Sequence, residues 1–157
     1  MYDDCGVKSM YDIVALGELL VDFIQEGINE DGHPVFSANP GGAPCNMLAM
    51  ASKLGRKTGF IGKVGNDSMG HMLRAAIISC GIDDRGLSND EKVSTTLAFV
   101  SKTETGDRSF SFYRNPGADV MLSESDVDFG MISNTKIFHF GTLTMTHEVV
   151  RETTKNA

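Results

Sequence analysis

The sequence predicts an α/β fold: a parallel sheet with helices packed on it, and two β-hairpins that the sheet does not absorb. Three observations carry this reading. Short apolar runs alternate with segments of helical periodicity, the pattern of βα units. The helical segments stop at glycines, as helices commonly do. Two further stretches alternate with period two around polar turns, which marks hairpins.

Taken in order, Tyr11–Gly17 (YDIVALG) is a short apolar run closed by glycine and reads as a buried strand. Leu19–Gln25 alternates loosely, Asn29-Glu30-Asp31-Gly32 is a turn, and His33–Ala38 returns, so these pieces pair as the first hairpin. Asn39-Pro40-Gly41-Gly42 leads into a helix that runs to about Leu54, with Met47, Met50, Ala51 and Leu54 as its expected inner face and Gly55 as its stop. Thr58–Val64 is a second buried strand. Asn66, Asp67 and Ser68 then offer caps for a second helix, whose inner stripe is Met69, Met72, Leu73, Ala76, Ile77 and Cys80, before Gly81. Thr95–Ser101 and Arg108–Arg114 form the second hairpin around Thr103–Asp107, with Phe110, Phe112 and Arg114 on one face. Ser123 caps a short helix to about Ile132. Lys136–Gly141 is a further strand, and Thr146–Asn156 a last helix.

Composition narrows the function classes. The 157 residues are 41% hydrophobic and 22% charged, enough for one domain with a real core. A net charge of −7, with Lys and Arg scattered, argues against nucleic acid and against an anionic membrane surface as partners. No apolar run approaches the roughly 20 residues of a membrane helix. Met1–Tyr11 lacks the apolar stretch of a secretion signal and reads as a short leader. Cys5, Cys45 and Cys80 are dispersed, so a cytoplasmic protein is expected. His33, His71, His139 and His147 show no zinc-ligand spacing, and no metal site is expected among them.

Three features carry chemistry. Gly41-Gly42-Ala43-Pro44-Cys45-Asn46 opens a helix: two glycines admit a ligand to the backbone, the helix start presents free N–H groups, and Asn46 both donates and accepts. That combination suits sugar hydroxyls, and equally suits a tight strand-to-helix turn that Asn46 caps. Asp22, set among Leu20, Val21, Phe23 and Ile24 just past the first strand, can accept from two vicinal hydroxyls or simply face solvent at a strand edge. Phe99, Phe110 and Phe112 with Arg114 could cover a bound sugar and exclude water, or pack on the domain itself or a partner subunit. Gly62-Lys63 is not a P-loop, because Lys57 stands where its first glycine belongs and Val64 where Ser or Thr belongs. No G-x-G-x-x-G occurs, so a Rossmann dinucleotide site is unsupported.

Several of these motifs, in order, resemble the first signature region of the ribokinase/PfkB sugar kinases. They are Gly17-Glu18 with Asp22-Phe23; Pro40 to Asn46 with Ala49 and Leu54-Gly55; and Gly62-Lys63-Val64-Gly65-Asn66-Asp67 with Gly70 and Leu73. Phe112-Tyr113-Arg114-Asn115-Pro116-Gly117-Ala118-Asp119 resembles the fructokinase branch. The resemblance implies a partial three-layer α/β/α ribokinase-like core over residues 1–157, with a small β-sheet lid from about 19–39 and 94–114. It implies Asp22, Gly41, Gly42 and Asn46 as the grip on sugar hydroxyls and Arg114 as a lid-side contact, to which the aromatic hairpin adds Phe99. The implied reaction is ATP-dependent phosphorylation of a sugar hydroxyl, fructose to fructose 6-phosphate first, with Mg²⁺ on the phosphates. Ribokinase-like and 2-keto-3-deoxygluconate-like substrates are the alternatives, as is a non-catalytic sugar-binding or interaction module. Lid sheets in this family often mediate dimers, so a homodimer is a further expectation. The family's Gly-Ala-Gly-Asp and Asn-x-x-Glu motifs do not occur in these residues. The resemblance therefore places no catalytic base here, puts most of the ATP and Mg²⁺ site in a C-terminal half that is absent, and implies little kinase activity for the 157 residues alone.

Overall fold

The structure, a computed structural model, describes residues 10–102 and 108–157. Residues 1–9, which hold Cys5 and most of the expected leader, and residues 103–107, the expected turn of the second hairpin, lie outside the described residues, while Tyr11, the end of that expected leader, begins β1. The chain runs β1 (Tyr11–Leu16), β2 (Leu20–Ile28), β3 (Pro34–Gly41), α1 (Ala43–Lys53), β4 (Thr58–Gly65), α2 (Ser68–Ser79), β5 (Ile82–Asp90), β6 (Leu97–Lys102) and β7 (Arg108–Tyr113). Then come short 3₁₀ turns at Ala118–Met121 and Glu124–Asp126, α3 (Phe129–Ser133), β8 (Thr135–Phe140), a 3₁₀ turn at Thr142–Thr146 and α4 (Glu148–Asn156).

Two sheets result. The first has the order β5-β4-β1-β8 and is parallel throughout. The second, β3-β2-β6-β7, consists of the two expected hairpins side by side, joined by parallel pairing of β2 with β6. Alternation along the central strands builds the layers. Ala15 of β1 and Phe60 and Val64 of β4 turn toward Cys45, Leu48, Leu73 and Ile77 of α1 and α2. Val14, Leu16 and Ile61 turn the other way, toward Val120, Leu122, Met131 and Val150. Helices and turns thus cover both faces of the parallel sheet, the three-layer arrangement that buried parallel strands require.

Three details depart from the sequence-based expectations. The inner face of α1 is Pro44, Cys45 and Leu48, whereas Met50 and Leu54 are exposed. The reason is that Pro44 is wedged against Gly17 and Gly141, where a Cβ would come within 2.5 Å and 2.8 Å of Cγ, and this sets the rotation of the helix. The helix expected from Ser123 to Ile132 is broken, because the Asp128 carboxylate accepts from the Gly130 and Met131 amides and starts α3 afresh. Strand β5 is an addition. Asp83, Asp84, Arg85 and Asp90 hide it from an apolar-run search, yet it is the sheet edge, where charge is the usual protection. Among the described residues, no helix is long and apolar enough to cross a membrane.

Candidate functional site

The carboxyl ends of β1 and β8 meet the start of α1. After β1 the chain passes through Gly17 and Glu18 into β2, and β3 returns it to the Gly41–Gly42 turn. Gly42 adopts φ 121° and ψ 120°, a region that L-residues avoid, and a Cβ there would lie 2.4 Å from the Glu18 carbonyl oxygen. Gly41 is glycine for a different reason: a Cβ would lie 2.3 Å from Asp22 Oδ2. Asp22 and Gly41 are therefore in direct apposition. Burial raises the Asp22 carboxyl above its usual value. Asn46 is exposed on the first turn of α1, its amide donating to the Gly42 carbonyl at 3.0 Å. Gly41 and Asn46 also border a cavity of about 320 Å³ between α1 and α2, whose wall is otherwise mostly apolar (Leu19, Cys45, Ala76, Ile77) apart from Ser79, and which Asp22 does not line.

Register decides which side chains of the second sheet join Asp22. Asp22 pairs with Asn39 and Ala98, and Ala98 with Phe112, so these four share one face. Phe112 stacks on Phe110 at 6.2 Å, and both rings are half exposed. Phe99 is corrected. It pairs with Phe23, so it lies on the opposite face from Asp22, stacked on Phe23 at 5.0 Å and edge-on to Phe36 and Tyr113. Strict alternation along β2, β6 and β7 is the signal that puts Ala98 and Phe112, rather than Phe99, on the face of Asp22.

Arg114 lies one residue past β7 and is held in place. Its Nη2 and Nε donate to Asp119 Oδ2 and Oδ1 at 2.5 Å and 3.2 Å, and Thr96 Oγ1 donates to the same Oδ1 at 2.6 Å. Asp119 is 4% exposed. The guanidinium borders a separate cavity of about 300 Å³ with Asn115, Thr146 and His147. Its charge is largely met by Asp119, which weakens its pull on an anionic ligand.

Adjacent Thr95 anchors the second sheet to the first. Asp67 accepts the Thr95 amide and hydroxyl and the Gly70 amide, each at 2.8 Å, while the Gly65 amide donates to Thr95 Oγ1 at 3.0 Å. Burial alone would raise the Asp67 carboxyl, but these donors outweigh it and hold it below its usual value. Lys63, at the end of β4, bridges Asp90 at 3.4 Å and Asp126 at 3.0 Å. The Gly65-Asn66-Asp67 segment is thus a structural joint between the sheets.

The site is thus a parallel α/β core with a Gly–Gly turn and a carboxylate at its strand ends and a second sheet rising beside them. Residues 10–157 match the pfkB family carbohydrate kinase domain, and the chain belongs to that family. It is 38% identical over 148 residues to a fructokinase-2 of Solanum lycopersicum, covering 93% of this chain and 45% of that protein. Among solved structures, it resembles a fructokinase from Xylella fastidiosa with TM-score 0.87 and 30% identity, over 94% of this chain and 46% of that one. It also resembles an uncharacterized sugar kinase from Pyrococcus horikoshii in complex with ATP, with TM-score 0.84 and 33% identity, over 92% and 47% of the two chains. The chain spans about half the length of the relatives it matches.

Proposed function

We propose that these residues form the sugar-binding side of an ATP-dependent sugar kinase whose first substrate is fructose, phosphorylated to fructose 6-phosphate. The observation that carries this is the apposition of Asp22 with Gly41: a carboxylate that pairs with no cation among the described residues, held against a side-chain-free turn at the strand ends. Asp22 would accept two vicinal hydroxyls. Gly41 and Gly42 would let the sugar reach the backbone, and Asn46 would complete the grip. The second sheet serves as the lid, with Ala98 and Phe112 over the sugar and the Asp67–Thr95 joint holding its base. Neutralisation of Arg114 by Asp119 favours a neutral sugar over the 2-keto-3-deoxygluconate alternative.

ATP would supply the phosphoryl group, with Mg²⁺ on its phosphates. Among the described residues, no cluster of three or more His, Cys, Asp or Glu is placed to hold a metal ion, so no step is assigned to Mg²⁺ here. The fructokinase relatives support a small-molecule sugar substrate, and dispersed cysteines without a disulfide framework support a cytoplasmic enzyme. Exposed Tyr113, on the face of the lid sheet opposite Asp22, supports a homodimer through that sheet.

The test is ATP-dependent turnover of fructose by the full-length polypeptide that carries these residues, with and without Asp22→Ala. Wild-type turnover is expected, with fructose affinity in the variant weakened by about 1.5–3 kcal/mol, the range for a hydrogen bond to a charged group. Absence of wild-type turnover on fructose and related sugars overturns the reading. Unchanged affinity in Asp22→Ala removes the role given to that residue.

A further inference from the structure

Glu18 is 6% exposed, among the most buried charged side chains of the described residues, and it sits directly beneath the Gly41–Gly42 turn. Its Oε1 accepts the Ala43 amide at 2.9 Å. Its Oε2 is buried and finds no hydrogen-bond partner among the described residues. A carboxylate in that position is costly unless it secures something.

Several observations show what it secures. Ala43 is the first residue of α1, and Gly42 before it has no side chain to cap the helix. Pro44 follows and has no amide, so Glu18 replaces the missing cap for the Ala43 donor. The Glu18 backbone carbonyl meanwhile blocks any side chain at Gly42, with a Cβ 2.4 Å away. On the far side, a Cβ at Gly141, just past β8, would lie 2.8 Å from Glu18 Oε2 and 2.8 Å from Pro44 Cγ. One side chain therefore ties together the end of β1, the end of β8 and the start of α1. Its negative charge also complements the positive end of the helix.

We propose that Glu18 is a positioning residue for the sugar site: by accepting the Ala43 amide from a buried position wedged against Gly141, it fixes the start of α1 against the Gly41–Gly42 turn and so sets how Gly41, Gly42 and Asn46 together face the sugar. The inference rests on the sugar-kinase reading above. Glu18 itself does not touch sugar, because its free oxygen is sealed from solvent beneath the turn.

Two variants separate positioning from filling. Glu18→Gln keeps an acceptor of the same shape, whereas Glu18→Met keeps the volume and removes the acceptor. In the full-length enzyme, Glu18→Met should raise the fructose KM about tenfold with kcat changed less than about twofold, the loss of one charge-assisted hydrogen bond. Glu18→Gln should bring KM back to within about threefold of wild type, since a neutral acceptor is roughly half as strong. Amide exchange in the full-length enzyme gives a readout independent of activity. The Ala43 amide should be protected in the wild type and in Glu18→Gln, and should exchange about tenfold faster in Glu18→Met. Equal KM increases in Gln and Met variants would make Glu18 a packing residue and overturn the proposal. An unprotected Ala43 amide in the wild type would overturn it without any variant. A wild type that turns over no sugar fails the kinase reading itself, whereas a wild-type KM in Glu18→Met, beside an active wild type, fails this inference alone.

Discussion

Adding one methyl group at Gly41 probes the sugar grip most directly. An ideal Cβ there lies 2.3 Å from Asp22 Oδ2, 2.8 Å from its Cγ and 3.1 Å from Leu20 Cδ1. Non-bonded contacts of this kind relax to about 3.5 Å, so the Asp22 carboxylate must retreat by roughly 1 Å. The backbone has no reason to resist: Gly41 is not in the left-handed region, and the clash is with the end of a short side chain that can rotate. Folding stability in Gly41→Ala should therefore stay within about 1 kcal/mol of wild type, helped by the smaller entropy of the unfolded chain. A displacement of about 1 Å in a substrate-positioning group, by contrast, can cost on the order of 100-fold in turnover efficiency. Gly42→Ala is the contrasting control. Its φ is 121° and its clash is with the Glu18 carbonyl, so strain of about 1–3 kcal/mol should appear in stability. Urea unfolding of both variants, with fructose kcat/KM in the full-length enzyme, separates the two effects. A Gly41→Ala enzyme with kcat/KM within about threefold of wild type would refute the placement of Asp22 at the sugar. So would the reverse pattern, with Gly41→Ala unstable and Gly42→Ala unaffected.

Two further outcomes follow from the joints between the sheets. Asp119→Ala strands Arg114, 15% exposed, beside an empty site, and urea unfolding should show a loss of about 3–5 kcal/mol; the double replacement Arg114→Met with Asp119→Leu should recover most of it. Loss below about 1 kcal/mol in the single variant would mean that solvent reaches the pair. For Asp67, the folded carboxyl is held low, so its contribution is full above the unfolded pKa of about 3.9 and is lost as pH falls through the lower folded value. Asp67→Asn should thus be less stable than wild type at neutral pH, with the gap closing below about pH 4 in a pH series of urea midpoints. A gap that is constant with pH would assign the loss to geometry rather than charge.

Local pattern made much of this protein legible before any coordinates. The apolar runs of β1 and β4, the caps and stripe of α2, the two hairpins and the Gly–Gly turn before α1 all announce themselves within a few residues, because strand alternation, helix capping and glycine conformation are local properties. The ordered motifs around Gly41, Asp67 and Arg114 likewise placed the chain in its family. Other features depended on contacts distant in sequence. The inner face of α1 was decided by Pro44 meeting Gly17 and Gly141, and β5 became a strand because β4 offered it an edge. Phe99 was placed on the face opposite Asp22 by its register with Phe23, which is set by the pairing of two hairpins about 75 residues apart. Glu18 and Asp119 look like ordinary acidic residues in the sequence. Only the packed structure shows that each is buried with a specific donor, since burial is a property of everything that surrounds a side chain rather than of its neighbours along the chain.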